Sequence, residues 1–242
     1  EPLNVFVTGP GYIVAAADTT TANTANKRSL QTTGASQNYI LVFADGTAGA
    51  TTITIVGSVT GTVLGTETLT FSDTKPASIT ATTAKAYIAA GATTASVFSV
   101  TVKDAAGNAI TGTSAVVTGT RTDTTTAGKA LATADLSCAW SSVYLAYHCS
   151  ATGASTIKFG PAAYSITATG TDADATEVTA ADVTTTFADT VATSVTVSGP
   201  ATASVGDKVT YTLTAKEKNG YPVADASYEG GTANGSNGIF WN

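Results

Sequence analysis

The chain holds one histidine, His148, and two cysteines, Cys138 and Cys149, and no methionine at all. A single imidazole beside a cysteine, with no orienting carboxylate marked out for it, does not make a nucleophile–base pair, so His148 reads as ordinary strand surface. Two Cys and one His are also too few for a closed four-ligand zinc site. Lysine and arginine total only 11, which leaves no basic face to track a phosphate backbone and argues against nucleic acid as a partner. Apolar runs of about 18 residues are missing, so there is no membrane-spanning segment. Gly57, Gly61 and Gly65 lie in a β-like stretch without the Lys-Ser/Thr that completes a phosphate loop. The 17 carboxylates single out no acid/base pair for glycoside hydrolysis, and with Trp only at 140 and 241 platforms for sugar stacking are thin. The expectation is a protein that is not an enzyme and that needs no cofactor.

What the chain does hold is threonine, about fifty of its 242 residues. Thr, Val, Ile and Tyr fit the pleated, half-buried surface of a strand, and 23 glycines supply turns. Charged residues are 12% of the chain with a net charge of −6, so hydroxyls do the solvating that Lys and Glu do elsewhere. Composition therefore points to an all-β protein. The chain opens at Glu1-Pro2 with no charged-then-apolar leader. This reads as an extracellular, cell-surface protein secreted by way of a cleaved signal peptide, although a trimmed chain would look the same.

The decisive feature is repetition. Phe71-Ser-Asp-Thr-Lys-Pro-Ala-Ser-Ile-Thr80 returns as Phe187-Ala-Asp-Thr-Val-Ala-Thr-Ser-Val-Thr196. Further in, Phe98-Ser-Val-Thr-Val-Lys-Asp-Ala-Ala-Gly-Asn-Ala-Ile110 aligns without gaps on Tyr211-Thr-Leu-Thr-Ala-Lys-Glu-Lys-Asn-Gly-Tyr-Pro-Val223. Phe98, Val100 and Val102 alternate with polar residues, as do Tyr211, Leu213 and Ala215, which is the period of a strand with one buried face. Asp104–Asn108 and Glu217–Gly220 are then turns. The junction phrase divides the chain into 1–74, 75–190 and 191–242. The last piece has the length of half a sandwich, completed by further chain or by a neighbouring molecule. Other strand candidates are Tyr39–Phe43, Thr51–Val56, Thr66–Phe71, Ser114–Thr120, Val143–Cys149 and Tyr164–Thr169. Residues 15–36 read as a long loop, and Thr171–Ala181 as a stretch where Ala favours a helical turn and Thr opposes it.

Gly199-Pro through Gly206-Asp-Lys-Val-Thr-Tyr-Thr-Leu-Thr214, and the Lys103-Asp-Ala-Ala-Gly-Asn-Ala-Ile110 turn, resemble bacterial immunoglobulin-like repeats of the invasin/intimin type. Such repeats occur in adhesins and in S-layer and other cell-wall proteins. The resemblance covers residues 78–120 and 194–225 and is weak over 1–70. It implies tandem immunoglobulin-like β-sandwich domains and a cell-surface address, and it carries no catalytic residues. The segment around Cys138 and Trp140 departs from the repeat and reads as an insertion.

Cys138 and Cys149 lie at hairpin-scale separation in a chain that looks exported, which is most simply one disulfide; two buried free thiols are the alternative. Asp172, Asp174 and Glu177 put three carboxylates within six residues, a candidate calcium site or a solvated acidic loop. Asp73 and Asp189 share the junction phrase, where they either hold a junction cation or close an Asp-Thr turn. Asn234-Gly-Ser236 is a glycosylation sequon, the Thr runs are candidate acceptors of O-linked sugars, and Lys27-Arg28 is an exposed basic pair, cleavable or merely solvated. Two functions fit. The first is a structural surface protein whose partner is itself, joining through sheet edges into an S-layer or filament. The second is an adhesin stalk or tip that contacts a host, a cell wall or a glycan through Trp140, Tyr144 and Tyr147.

Overall fold

The computed structural model describes residues 1–16, 26–35, 37–122, 131–132 and 135–224. Among them every regular element is a β-strand, as the Thr-rich composition requires. The chain divides into two compact units: Glu1–Ala77 with Lys103–Ala115 and Gly170–Thr176, and Ser78–Val102 with Val116–Thr169 and Glu177–Asn242.

The first unit carries β1 (Leu3–Thr8), β2 (Tyr12–Ala16), β3 (Ser29–Gln31), β4 (Tyr39–Phe43), β5 (Gly49–Gly57) and β6 (Val63–Phe71). Four of them form a sheet in the order β3-β1-β5-β6, and β2 pairs with β4 in a second. Val5, Val7 and Ile13 are its buried centre, packed by Leu30, Ile40, Val42, Ile53 and Ile55. The change of sheet between β1 and β2 falls at Gly9-Pro10-Gly11, where both glycines have positive φ, 95° and 111°. Substitution is blocked there twice over, because a Cβ on Gly9 would strike the Ala50 carbonyl oxygen and one on Gly11 the Phe71 ring. Of the expected loop over 15–36, residues 15–16 and 29–31 belong to strands. β2 runs through Ala16 and β3 pairs Leu30 with Val5, since Leu30 is the one apolar residue there that can reach the core.

The second unit carries β7 (Ser78–Thr83), β8 (Tyr87–Ala89), β9 (Thr93–Lys103), β10 (Ala115–Arg121), β11 (Ser137–Ser141), β12 (Ala146–Thr152), β13 (Gly160–Gly170), β14 (Glu177–Thr179) and β15 (Val183–Ala188). One sheet runs β11-β12-β9-β7 and the other β10-β13-β15-β8, with β14 beside β13. Phe98, Val100 and Val102 of β9 are buried, as are Tyr164, Ile166 and Phe187 of the other sheet. The Phe98 and Tyr164 rings meet at 5.6 Å. This is a two-sheet sandwich with the alternating inward residues that the repeat displays. Two expectations shift. Val143–Leu145 lies outside β12, because Ser141 pairs with Ala146 across it, and Thr171–Ala181 holds a turn and β14 in place of a helical turn.

β16 (Ser194–Ser198) and β17 (Thr212–Lys216) make a two-stranded hairpin. Here Tyr211 and Leu213 are exposed, whereas their repeat equivalents Phe98 and Val100 are buried.

The two copies of the repeat share atomic detail. Gly107 N–H donates to the Asp104 carbonyl at 3.0 Å, and Gly220 N–H to the Glu217 carbonyl at 2.9 Å. The two glycines have φ of 85° and 89°, the left-handed value their turn demands. The junction phrase binds to this turn in the same way each time. Ala77 N–H donates to the Lys103 carbonyl and Thr193 N–H to the Lys216 carbonyl, both at 2.8 Å.

Candidate functional site

The segment that departs from the repeat is the β11–β12 hairpin. Its register sets Cys138 opposite Cys149, Ala139 opposite His148 and Trp140 opposite Tyr147. Directly opposed strand residues share a face at bonding distance, and the two cysteines form a disulfide across Cα atoms 4.0 Å apart. The reading as one disulfide holds, and two free thiols are excluded. β12 is itself paired to β9, with Cys149 opposite Phe98 and Tyr147 opposite Val100. The staple therefore fixes the outer strand β11 to a strand rooted in the sandwich.

The aromatics divide by face. Trp140 packs edge-on against Tyr147 at 5.1 Å, and Tyr144 lies 4.9 Å from His148. Both ring nitrogens of His148 are buried with no hydrogen-bond partner among the described residues. Tyr147 is buried, so of the three aromatics expected to make a contact patch the surface presents Tyr144 and part of Trp140. The residues that sequence reasoning missed are Val143 and Leu145. Val143, Tyr144 and Leu145 are 82%, 70% and 68% exposed and stand in a row at the hairpin tip. Leu145 has φ of 51°, a conformation that costs a branched side chain about 1–2 kcal/mol and that glycine adopts freely.

The carboxylates proposed for calcium are engaged within their own turns. Asp172 accepts Thr176 N–H and, at 2.8 Å, Thr176 Oγ1–H. Partial burial pushes its carboxyl up, but the bonds from Thr176 outweigh this and the net shift is downward. Glu177 accepts from Thr169 Oγ1 at 3.2 Å. Asp73 accepts the N–H groups of Thr74 and Lys75, and Asp189 accepts Val191 N–H. These are Asx turns, the local geometry expected of Asp-Thr. Among the described residues no three Asp, Glu, Cys or His side chains gather where they could share an ion. Asp172, Asp174 and Glu177 are accordingly not gathered into such a group. Asn234 lies outside the described residues.

Two carboxylates do structural work that the sequence had marked only as turns. Asp104, 4% exposed, accepts Ala106 N–H, Asn108 N–H and Asn108 Nδ2–H. It also accepts Asp73 N–H from the junction phrase. Burial pushes its carboxyl up, and the four donors more than offset this, holding it below the ordinary aspartate value. Glu217, equally buried, accepts Asn219 N–H, Tyr221 N–H and Asn219 Nδ2–H. In the first unit Arg28 pairs with Asp45 at 2.7 Å, donates to the Gly9 carbonyl and sits over the Tyr12 ring. Of the basic pair Lys27-Arg28, then, the arginine is tied down.

No protein-family model matches the chain, and no curated protein does. Among solved structures it is similar to FdeC, an adhesin of Escherichia coli, at 20% identity and a TM-score of 0.36. The match covers 92% of this chain and 64% of that one; the chain thus spans less than two thirds of the structure it resembles. Among the described residues no helix is long and apolar enough to cross a membrane.

Proposed function

We propose that this chain is a structural protein of the cell exterior that self-associates through its sheet edges into a layer or filament. The observation that carries the reading is β6. It is the last strand of its sheet, nine residues long, and its only charge is Glu67. Val63, Leu64 and Leu69 on it are exposed. A long, nearly uncharged edge offers a row of backbone N–H and C=O groups to a second strand; one register shift at Leu64 interrupts its start, and neither lysine nor proline blunts the run from Gly65 to Phe71. The Cys138–Cys149 disulfide supports an oxidising, exported setting. The repeated turn-and-junction geometry supports a chain made by stringing modules together.

The test is electron microscopy of the purified protein beside a Thr66→Lys/Thr68→Lys variant. Wild type should form lattices or filaments. The variant should remain monomeric with an unchanged thermal midpoint, since both positions are exposed and surface changes cost little. Wild-type protein that stays monomeric under all conditions refutes assembly.

A second reading, adhesion to a foreign surface, is favoured by the exposed Val143-Tyr144-Leu145 tip. It predicts that beads coated with the protein attach to target cells and that Leu145→Asp abolishes the attachment.

A further inference from the structure

We propose that the tip of the β11–β12 hairpin is a wedge that inserts into the interfacial region of a lipid bilayer. The proposal rests on the adhesion reading only in taking this tip as a contact element, and it names the surface touched.

Four observations converge on it. First, Val143, Tyr144 and Leu145 are consecutive and exposed, so the apex is apolar apart from one phenol and the Ser142 hydroxyl. Second, the hairpin lies in the longest carboxylate-free stretch of an acidic chain. From Leu136 to Thr171 there is no aspartate or glutamate, and Lys158 is the one lysine, although the whole chain carries 17 carboxylates. A tip without carboxylates brings no like-charge repulsion to the phosphates of a headgroup layer and no ion-pairing handle for a basic partner. Third, Trp140 and Tyr144 lie at and just behind the apex. Their rings have an apolar body and a single polar atom, and such side chains settle at the boundary between headgroups and acyl chains.

The fourth observation is strain. Leu145 holds a left-handed backbone, with φ of 51°, at a turn position where glycine or asparagine would sit without cost. A branched, exposed hydrophobe kept in that conformation is worse for folding and for solubility than glycine. The side chain therefore has a use outside the folded domain. The disulfide and the pairing of β12 to β9 hold the tip rigid, so little ordering is lost when it docks. Shallow insertion of three side chains suits reversible attachment, which many copies on one assembly would multiply.

The experiment is co-sedimentation of the full chain with phosphatidylcholine vesicles, read together with Trp140 fluorescence in a Trp241→Phe background. Wild type should pellet with vesicles and its emission should shift to the blue. Leu145→Asp and Val143→Asp should each weaken the partition at least tenfold. Leu145→Gly separates this role from a structural one: it should weaken the partition several-fold while the thermal midpoint stays the same or rises. If wild type does not pellet with vesicles, or if Leu145→Asp pellets as well as wild type, the wedge is refuted. Should vesicles fail while bead attachment to cells still falls with Leu145→Asp, adhesion through the tip stands and lipid is excluded as its target. If neither responds, both readings fail.

Discussion

Asp104 shows how much one side chain carries here. It closes its own turn and receives Asp73 N–H, which ties the junction phrase to that turn. Asp104→Ala strands those buried donors and should cost about 1–3 kcal/mol, measured by urea denaturation. Because its carboxyl is held below the ordinary aspartate value of 3.8, its contribution is complete at neutral pH. It should fade only as pH falls below that value toward the folded-state pKa. Wild type should therefore lose stability across that acid range, and Asp104→Ala, already lacking the contribution, should lose less. This role was half legible. The gapless alignment of Asp104 with Glu217 showed that both copies want an acid before Asn and Gly. That the acid is buried under N–H donors depends on the fold, because the donors point inward only once the chain has turned. Asp172 shows the opposite limit, since acid spacing alone could not reveal that Thr176 already occupies its oxygens.

At the scale of elements, the hairpin is held by a cross-link that encloses a short loop. Removing it by Cys138→Ser/Cys149→Ser should lower stability by about 2.5–3 kcal/mol in the chain-entropy picture, read as a lower urea midpoint. The turn could have been located from the cysteines. Cys138 facing Cys149 sets the centre of an antiparallel pair between Val143 and Tyr144, which makes both turn residues and takes Val143 out of the expected strand. Alternation cannot settle such a point, because Val-Tyr-Leu is as good a strand as it is a tip. β9 was easier to read from Phe98 onward, where apolar and polar residues alternate and one face is buried; the irregularity before it, where Ser96 has φ of 53° and the pairing with β12 shifts, leaves no such mark in the sequence. β3 was missed because three residues with one apolar anchor look like loop until Val5 is placed beside Leu30.

For the whole molecule, low charge has a consequence. The net charge is −6 and the isoelectric point is near 4.6. Light scattering should accordingly rise as pH is lowered toward that value and reverse on return to neutrality, because self-repulsion vanishes while the fold persists. The Thr66→Lys/Thr68→Lys variant should move this response to higher pH and weaken it. Sequence by itself determined the class of the protein, since Thr-rich alternation points to strands, and it marked two nested repeats whose turns share their hydrogen bonds. Tertiary structure alone decided which carboxylates are satisfied, which aromatic is buried and which residue bears strain. Each of those depends on what approaches from a distant part of the chain, and neither composition nor local period records that approach.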